Sequence, residues 1–247
     1  MTMLIVGEVK IPYDVRFSDN AKYRRIIVTP GHVEVVVPDG TAEPQVVSYL
    51  HRKRRWVYDQ VQYMKELMSS HPSVSKYITG AKIPYRGRRM KLIVTNSPLI
   101  TIPILTYKNG FYVEISEGLS PQMNDFLVET EIRFWLKRQV RNDVKKIINK
   151  IEQHLDIKSK SFLIKDQKNF WGSCGKDRVI NINWRLIFAP KAVLEYAVAH
   201  ELCHIKHRNH GADFWSFLGE IVPDYESRKQ WLDQNESLLG WDSLIQG

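Results

Sequence analysis

The sequence KAVLEYAVAHELCHIKH occupies residues 191–207, and its pattern predicts a buried amphipathic helix. Apolar residues recur there at helical intervals, Pro190 suits a first helical turn, and neither Gly nor Pro interrupts the run. On such a helix His200 and His204 lie one turn apart on the same face. Two neutral imidazoles in that arrangement can reach one metal ion.

Glu201 completes the pattern HExxH with His200 and His204. A carboxylate next to the first histidine lies beside the metal, where it can take a proton from a water molecule whose pKa the ion has lowered. We therefore interpret Glu201 as a general base. The alternative is a pair of helix histidines that hydrogen-bond within a core, but the adjacent glutamate in an apolar helix favours a metal-dependent hydrolase.

A catalytic zinc ion usually has three protein ligands, so one ligand remains to be identified. His207 lies seven residues after His200, which is about 10 Å along an intact helix at a rise of about 1.5 Å per residue. It cannot share the same ion. Asn209 and Gly211 flank His210 and tolerate the left-handed conformation that ends helices, so the chain can turn back there and bring His210 to the metal. We predict His210 as the third ligand. The alternative carboxylate ligands are Glu220 and Glu226.

The composition favours a globular protein. The chain has 247 residues, of which 43% are hydrophobic, enough for one large domain or two small ones. It contains no apolar run of transmembrane length and no signal-peptide core at its start, which predicts a cytoplasmic protein with no membrane partner. The two cysteines, Cys174 and Cys203, both lie in motif regions, so we expect no disulfide framework.

Positive charge is concentrated in the first half of the chain. Residues 1–118 hold 17 Lys and Arg against 10 Asp and Glu, a net of +7, whereas residues 119–247 have a net of +2. Such an excess favours polyanions and suggests a nucleic acid contact through the basic N-terminal half, although a solvated basic surface explains it equally well. The basic candidates are the run HRKRR at 51–55 and the group Arg86, Arg88, Arg89 and Lys91.

The distribution of periodic segments predicts an α+β fold. We expect short strands of a small antiparallel sheet over 1–37, a basic helix over 44–70, and further strands over 76–117 with a hairpin turn at 108–110. The period changes just after Gly118, which predicts an N-terminal β-rich basic domain at 1–118 and a hydrolase domain at 119–247.

The second domain is predicted to be mainly helical with a small sheet. Ser120 and Pro121 suit the start of a long helix that continues to about residue 155. Two strands then flank a turn-like segment at 171–175. The predicted strands are Ser161–Lys165 and Val179–Asn183. Two helices are predicted after the metal helix, which is the helix at 191–207, and they are Ala212–Ile221 and 224–232.

Five segments resemble a known family. They are WGSC at 171–174, INWRLIFAP at 182–190, HELCH at 200–204, NHGADFW at 209–215 and PDYESRKQWL at 223–232. In order and spacing they are similar to the YgjP-like metallopeptidases, relatives of the SprT-like and WLM-type zincins, and weaker similarity extends over nearly the whole chain. The resemblance implies a zincin-like C-terminal domain with one zinc ion on His200, His204 and His210, and with Glu201 as the catalytic carboxylate.

Four residues outside the metal helix are candidate substrate-binding residues. Trp171 and Gly172 could form a cleft wall, with Gly172 allowing close backbone approach, although a packing role for the Trp is the alternative. Asn183 and Arg185 lie just before the metal helix. Arg185 could bind an anionic substrate or pair with a carboxylate of the core. Cys174 could be a metal or redox thiol, but we favour a small buried residue.

Three functions compete. The first is a zinc metallopeptidase that acts on a peptide or protein substrate, which the predicted cleft-edge strand near Val179–Asn183 aligns in extended form. The second is a nucleotide phosphohydrolase, such as a nucleoside triphosphate pyrophosphatase, in which Arg185 or the basic half holds the phosphates. The third is a nucleic-acid-binding protein with a structural metal. Glu201 argues against the third, because a closed structural site has no use for a base.

Overall fold

The computed structural model describes residues 2–18, 21, 23–29, 32–69, 75–100, 102–167 and 170–241. The chain divides into two compact units, Met1–Val74 with Ser120–Met123, and Ser75–Leu119 with Asn124–Gly247. The domain boundary predicted after Gly118 stays a prediction, because compactness alone does not establish which segments fold independently.

The first unit contains a four-stranded sheet and a long helix. Its elements are β1 Thr2–Val6, β2 Val9–Ser18, β3 Arg25–Thr29, β4 His32–Pro38 and α1 Glu43–Ser69. The strand order is β1-β2-β4-β3, and β2 pairs with β4 in parallel. The sheet is therefore mixed, and the predicted antiparallel sheet was wrong in this respect. The β3–β4 hairpin inserts β4 next to β2, so that these two strands run in the same direction.

Helix α1 occupies nearly the span that its periodicity predicts. It packs on β1 and β3 and buries a single stripe of apolar side chains. The stripe consists of Val46, Leu50, Val57 and Met64. The basic run at 51–55 lies fully on the exposed part of the helix surface.

The second unit begins with a four-stranded sheet whose elements are β5 Lys82–Tyr85, β6 Arg88–Ser97, β7 Ile104–Tyr107 and β8 Phe111–Ser116. The order is β5-β6-β8-β7, with β6 and β8 parallel. One face is buried through Ile83, Leu92, Phe111 and Val113. The predicted hairpin turn at 108–110 is confirmed, since it joins β7 and β8 with Asn109 at a φ of 53°.

The remaining elements form the C-terminal part of the chain and include α3, the helix with the HExxH pattern. They are α2 Pro121–His154, β9 Ser161–Lys165, β10 Gly172–Cys174, β11 Val179–Asn183, α3 Lys191–Cys203, α4 Ala212–Ile221 and α5 Tyr225–Asn235, with 3₁₀ turns at Trp184–Ile187 and Glu236–Leu239. The predicted turn at 171–175 was wrong: residues 172–174 form an edge strand, and the turn follows it, where the N–H of Arg178 donates to the carbonyl of Gly175.

Helix α3 is anchored at its start by ion pairs. Arg228 of α5 donates to Glu195 Oε2 at 2.8 Å and to the carbonyl of Ala192 at 3.1 Å, and Lys150 of α2 reaches Glu195 Oε1 at 3.1 Å. The helix packs on α4, α5, β10 and β11, so its histidines are presented from a rigid element. The architecture confirms the predicted α+β class. Within the part of the chain that the structure describes, no helix is long and apolar enough to cross a membrane.

Candidate metal centre

The helix that carries the HExxH pattern ends at Cys203, earlier than the sequence pattern predicts. His204 is its C-cap residue, and the N–H groups of Lys206 and His207 both donate to the carbonyl of Cys203, at 3.0 and 2.9 Å. The left-handed turn predicted at Asn209 and Gly211 was wrong. Gly211 has a φ of −76°, and Asn209 is not among the residues with positive φ. The chain leaves the helix through this hydrogen-bonded turn at 204–206 instead.

This turn brings the three predicted histidines together. Ligand nitrogens of His200, His204 and His210 all lie within 4.8 Å of one another, close enough for one metal ion to be held by all three. The Nε2 atoms of His200 and His210 are 2.9 Å apart. Among the described residues no other side chain joins this group, so His207, Glu220 and Glu226 lie outside it. His207 instead places its ring 5.6 Å from that of Phe217.

The surroundings of His200 and His204 favour the neutral imidazole, the form that binds a metal. Burial, followed by the charges of His204 and His210, lowers the pKa of His200 to about 3. Burial also lowers the pKa of His204. Phe214 is buried against all three rings, with centroid distances of 4.9, 4.8 and 4.7 Å. A neutral imidazole has the free lone pair that a metal requires, so the donor set fits a divalent transition metal such as zinc.

A backbone carbonyl orients His204. Its Nδ1 lies 3.0 Å from the carbonyl oxygen of His207, which can only accept, so Nδ1 carries the hydrogen. In the neutral ring this leaves the lone pair on Nε2, the arrangement that metal-binding histidines commonly use. This role of His207 could not be predicted, because a main-chain contact leaves no residue-type signature.

Trp215 makes two contacts with His210 that are not evident from the sequence. Its Nε1 donates to the carbonyl of His210 at 3.0 Å, and its ring stacks on the imidazole at 5.6 Å with an interplanar angle of 28°. Tyr225 stacks on the opposite side of Trp215 at 5.5 Å. The only available signal was an aromatic residue within a family-like motif, and the motif does not reveal which residue it contacts.

Glu201 lies in a confined position. It is only 7% exposed, and burial raises its pKa to about 8. Strand β10 runs directly against it at Gly172, where an added Cβ would lie 2.6 Å from both Cγ and Oε1 of Glu201. Any side chain at 172 would therefore displace the carboxylate, and only glycine allows the strand to approach this closely.

The small sheet offers one free edge to the site. Strand β11 lies between β10 and β9, so the prediction that Val179–Asn183 is the cleft-edge strand was wrong. The edge strand is β10. Asn183 N–H donates to Trp171 O, and Gly175 N–H donates to Val179 O, both at 2.9 Å. Because hydrogen-bonding positions alternate along an antiparallel pair, the main-chain groups of Gly172 and Cys174 face outward.

Arg208 occupies part of that edge. It lies between the ligands His204 and His210, and its guanidinium donates to the carbonyls of Cys174 at 3.4 Å, Gly175 at 3.0 Å and Lys176 at 3.4 Å. The end of β10 is thus attached to the ligand-bearing turn. The N–H and C=O of Gly172 are left as the outward-facing pair closest to Glu201.

The other predicted substrate residues make contacts within the protein. Asn183 is 2% exposed, its Nδ2 donates to the carbonyls of Gln167 at 2.7 Å and Phe170 at 2.9 Å, and its Oδ1 accepts from the N–H of Arg185 at 3.1 Å. Arg185 pairs with Asp166 at 3.3 Å. Trp171 is half-buried just before β10. Their substrate-binding roles stay predictions.

Replacing Asn183 is expected to destabilise the fold. Three hydrogen bonds worth about 1 kcal/mol each would be lost, and buried main-chain groups would be left unsatisfied. We expect Asn183→Ala to lower the free energy of unfolding by about 2–4 kcal/mol, measured by urea denaturation. Asn181→Ala is the matched control, since the Asn181 side chain forms one hydrogen bond with the described residues, to Ser173. Equal losses in the two variants would contradict this role for Asn183.

The two cysteines are both unpaired. Cys203 is fully buried, whereas Cys174 is only half-buried, which corrects the prediction of a buried residue at 174. Its Sγ lies 3.8 Å from Arg208 Nη1, and burial raises the pKa of its thiol. A thiol with a raised pKa is a weak nucleophile and a weak ligand at neutral pH.

Two comparisons with known proteins bear on this site. The family model of the YgjP-like metallopeptidase domain matches residues 22–235, which covers the chain from β3 to the end of α5 and all of the histidine group. No curated protein matches the chain.

Proposed function

Since this chain belongs to the YgjP-like metallopeptidase family, we propose that it is a zinc-dependent metallopeptidase that hydrolyses peptide bonds. His200, His204 and His210 hold the ion, and Glu201 is the general base. The observation that carries the proposal is the convergence of three imidazoles beside a buried carboxylate. A purely structural metal site would not require that carboxylate.

Glu201 moves the proton in the proposed reaction. A bound zinc ion supplies positive charge that polarises the scissile carbonyl and lowers the pKa of a water molecule. Glu201 takes a proton from the water as it attacks the carbonyl carbon, and later delivers that proton to the leaving amine. Burial raises the pKa of Glu201 to about 8, and the charge of a bound ion would lower it again towards neutral pH, where the carboxyl group can both accept and release a proton.

Strand β10 aligns the substrate. An extended peptide can add to a free sheet edge through main-chain hydrogen bonds. The outward-facing groups of Gly172 provide such a pair, on the residue whose Cα packs against Glu201. A peptide bonded there has its carbonyl next to the general base, a role that the central strand β11 cannot perform. The nucleotide alternative draws less support, because Arg185, its candidate phosphate ligand, is paired with Asp166.

Metal analysis combined with two substrate assays tests the proposal. The purified protein is assayed for metal content, and then for cleavage of unstructured casein peptides and of nucleoside triphosphates, before and after chelation and zinc restoration. We expect peptide cleavage that disappears on chelation and returns with zinc. Hydrolysis of nucleotides alone would favour the phosphohydrolase, and a metal-loaded protein inactive on both substrates would refute the proposal.

Gly172→Ala is expected to impair catalysis without removing the metal. The added methyl group would lie 2.6 Å from Glu201 Oε1 and must displace the carboxylate. A displacement of about 1 Å can lower a rate by about 100-fold, so we expect kcat to fall by about 10- to 100-fold. Gly211→Ala is the control, because an added Cβ there meets nothing within 4 Å. The result to measure is kcat together with zinc content; an unchanged kcat in Gly172→Ala would argue against close positioning of Glu201.

A further inference from the structure

The outer face of the sheet β5–β8 carries three cations on neighbouring strands. Lys82 is opposite Lys91, and Pro84 is opposite Arg89, so Lys82, Arg89 and Lys91 project from the same face. This face is opposite to the one that buries Ile83 and Leu92. All three cationic side chains are exposed.

No residue in the described part of the chain neutralises these charges. None of the three forms an ion pair or a side-chain hydrogen bond with the residues that the structure describes. Like charges directly opposite each other on paired strands destabilise a sheet, and Lys82 and Lys91 are in that arrangement. Glu114, the acidic residue on this face, is partly buried and pairs in register with Thr95, further along β6. A negatively charged partner would therefore offset the repulsion.

An exposed aromatic ring borders the cations. Tyr112 of β8 is in register with Ile93, two residues beyond Lys91 on the neighbouring strand, so it projects from the same outer face. Its side chain is 41% exposed. Cations that contact phosphates and aromatic rings that stack on bases are the two components of surfaces that bind single-stranded nucleic acid.

The hairpin that carries the cations is held in place. The N–H groups of Arg86 and Gly87 donate to the carbonyls of Ile187 and Phe188, both at 2.8 Å. The Arg86 guanidinium binds both carboxylate oxygens of Asp143, at 2.8 and 2.6 Å. The turn between β5 and β6 is therefore fixed, and a fixed surface loses little entropy when a ligand binds.

We propose that this outer sheet face binds single-stranded nucleic acid, with backbone phosphates at Lys82, Arg89 and Lys91 and a base stacked on Tyr112. Arg89 and Lys91 are about 6.6 Å apart along β6 at about 3.3 Å per residue, so each can contact a different phosphate. An acidic peptide would use the cations but offers no base to stack on the exposed ring. The surface uses none of the metal ligands, so the proposal is independent of peptidase activity.

Fluorescence anisotropy with the full-length protein tests the surface. Labelled single strands of deoxythymidine and of uridine distinguish DNA from RNA, and a duplex of equal length tests the preference for single strands. We expect binding that weakens steeply as salt rises. The double variant Arg89→Glu/Lys91→Glu should bind at least about 10-fold more weakly. Tyr112→Ala should also lose about 10-fold, and Tyr112→Phe should retain most of the affinity.

The control is the double variant Arg52→Glu/Lys53→Glu on α1, which changes the net charge equally in another exposed basic segment. It should lose less than about 3-fold if the sheet face is the site. Equal losses in the two double variants, full affinity in Tyr112→Ala, or absence of single-strand binding at low salt would overturn the proposal. Equal affinity for anionic vesicles or polyglutamate would overturn it as well. Thermal unfolding of each variant shows whether the fold is retained.

Discussion

Glu201→Gln is expected to lower kcat for peptide hydrolysis by about 100- to 10,000-fold, the usual contribution of a general acid or base. Glutamine has nearly the shape of glutamate but cannot accept the proton of the attacking water. The buried position of Glu201 favours an isosteric replacement over a smaller one, since the side chain fills the space against Gly172. Zinc content should not change, because Glu201 is not one of the three residues grouped around the metal position.

Glu220→Gln is the matched control for that experiment. Glu220 is exposed on α4, and it lies outside the histidine group, so this variant should keep full activity. The measurements are kcat and KM on one unstructured peptide, with metal content determined on the same samples. Activity that survives in Glu201→Gln with zinc bound would exclude Glu201 as the base.

His210→Ala is expected to weaken zinc binding by about 100-fold or more, because loss of even an outer-shell partner of a ligand costs about 10- to 100-fold. The variant leaves two ligands, His200 and His204, and removes the imidazole on which Trp215 stacks. Competition with a chromophoric chelator measures the affinity. Peptidase activity at limiting zinc should fall together with the affinity for zinc.

His207→Ala provides the comparison for His210→Ala. The variant retains the carbonyl that accepts from His204 Nδ1 and removes only a ring that packs near Phe217. We expect zinc affinity to change by less than about 3-fold, because no ligand and no bond to a ligand is lost. A large loss in His207→Ala with little change in His210→Ala would reverse the assignment of the third ligand.

The sequence predicted those parts of the site that depend on local spacing. His200 and His204 are four residues apart on a helix whose apolar pattern is clear, and the grouping of these two with His210 was expected. The end of α3 at Cys203 was not predicted, because neither Gly nor Pro marks it and the apolar pattern continues at Ile205. Whether a strand lies at the edge or in the centre of a sheet also depends on long-range pairing. The sequence therefore predicts β11 as the edge strand, whereas the edge strand at the site is β10.

Contacts between side chains that are distant in the sequence could not be predicted either. Arg185 was open to two interpretations, and only the position of Asp166 distinguishes them. The stacking of Trp215 on His210 and the orientation of His204 by the carbonyl of His207 leave no pattern in the sequence. Periodicity indicates which face of a helix is buried, whereas these contacts depend on where separate elements meet.

The attachment of Arg208 to the end of β10 has a thermodynamic consequence. Arg208 lies between His204 and His210 in the sequence. A metal ion that fixes these two histidines would therefore also restrict the Arg208 guanidinium, which donates to the carbonyls of Cys174, Gly175 and Lys176. Zinc and a peptide on β10 would then favour the same arrangement of this segment, and linkage requires that each raise the affinity for the other by the same factor. Bound substrate would thus slow the dissociation of zinc, and the protein would hold its metal most firmly while a peptide is bound.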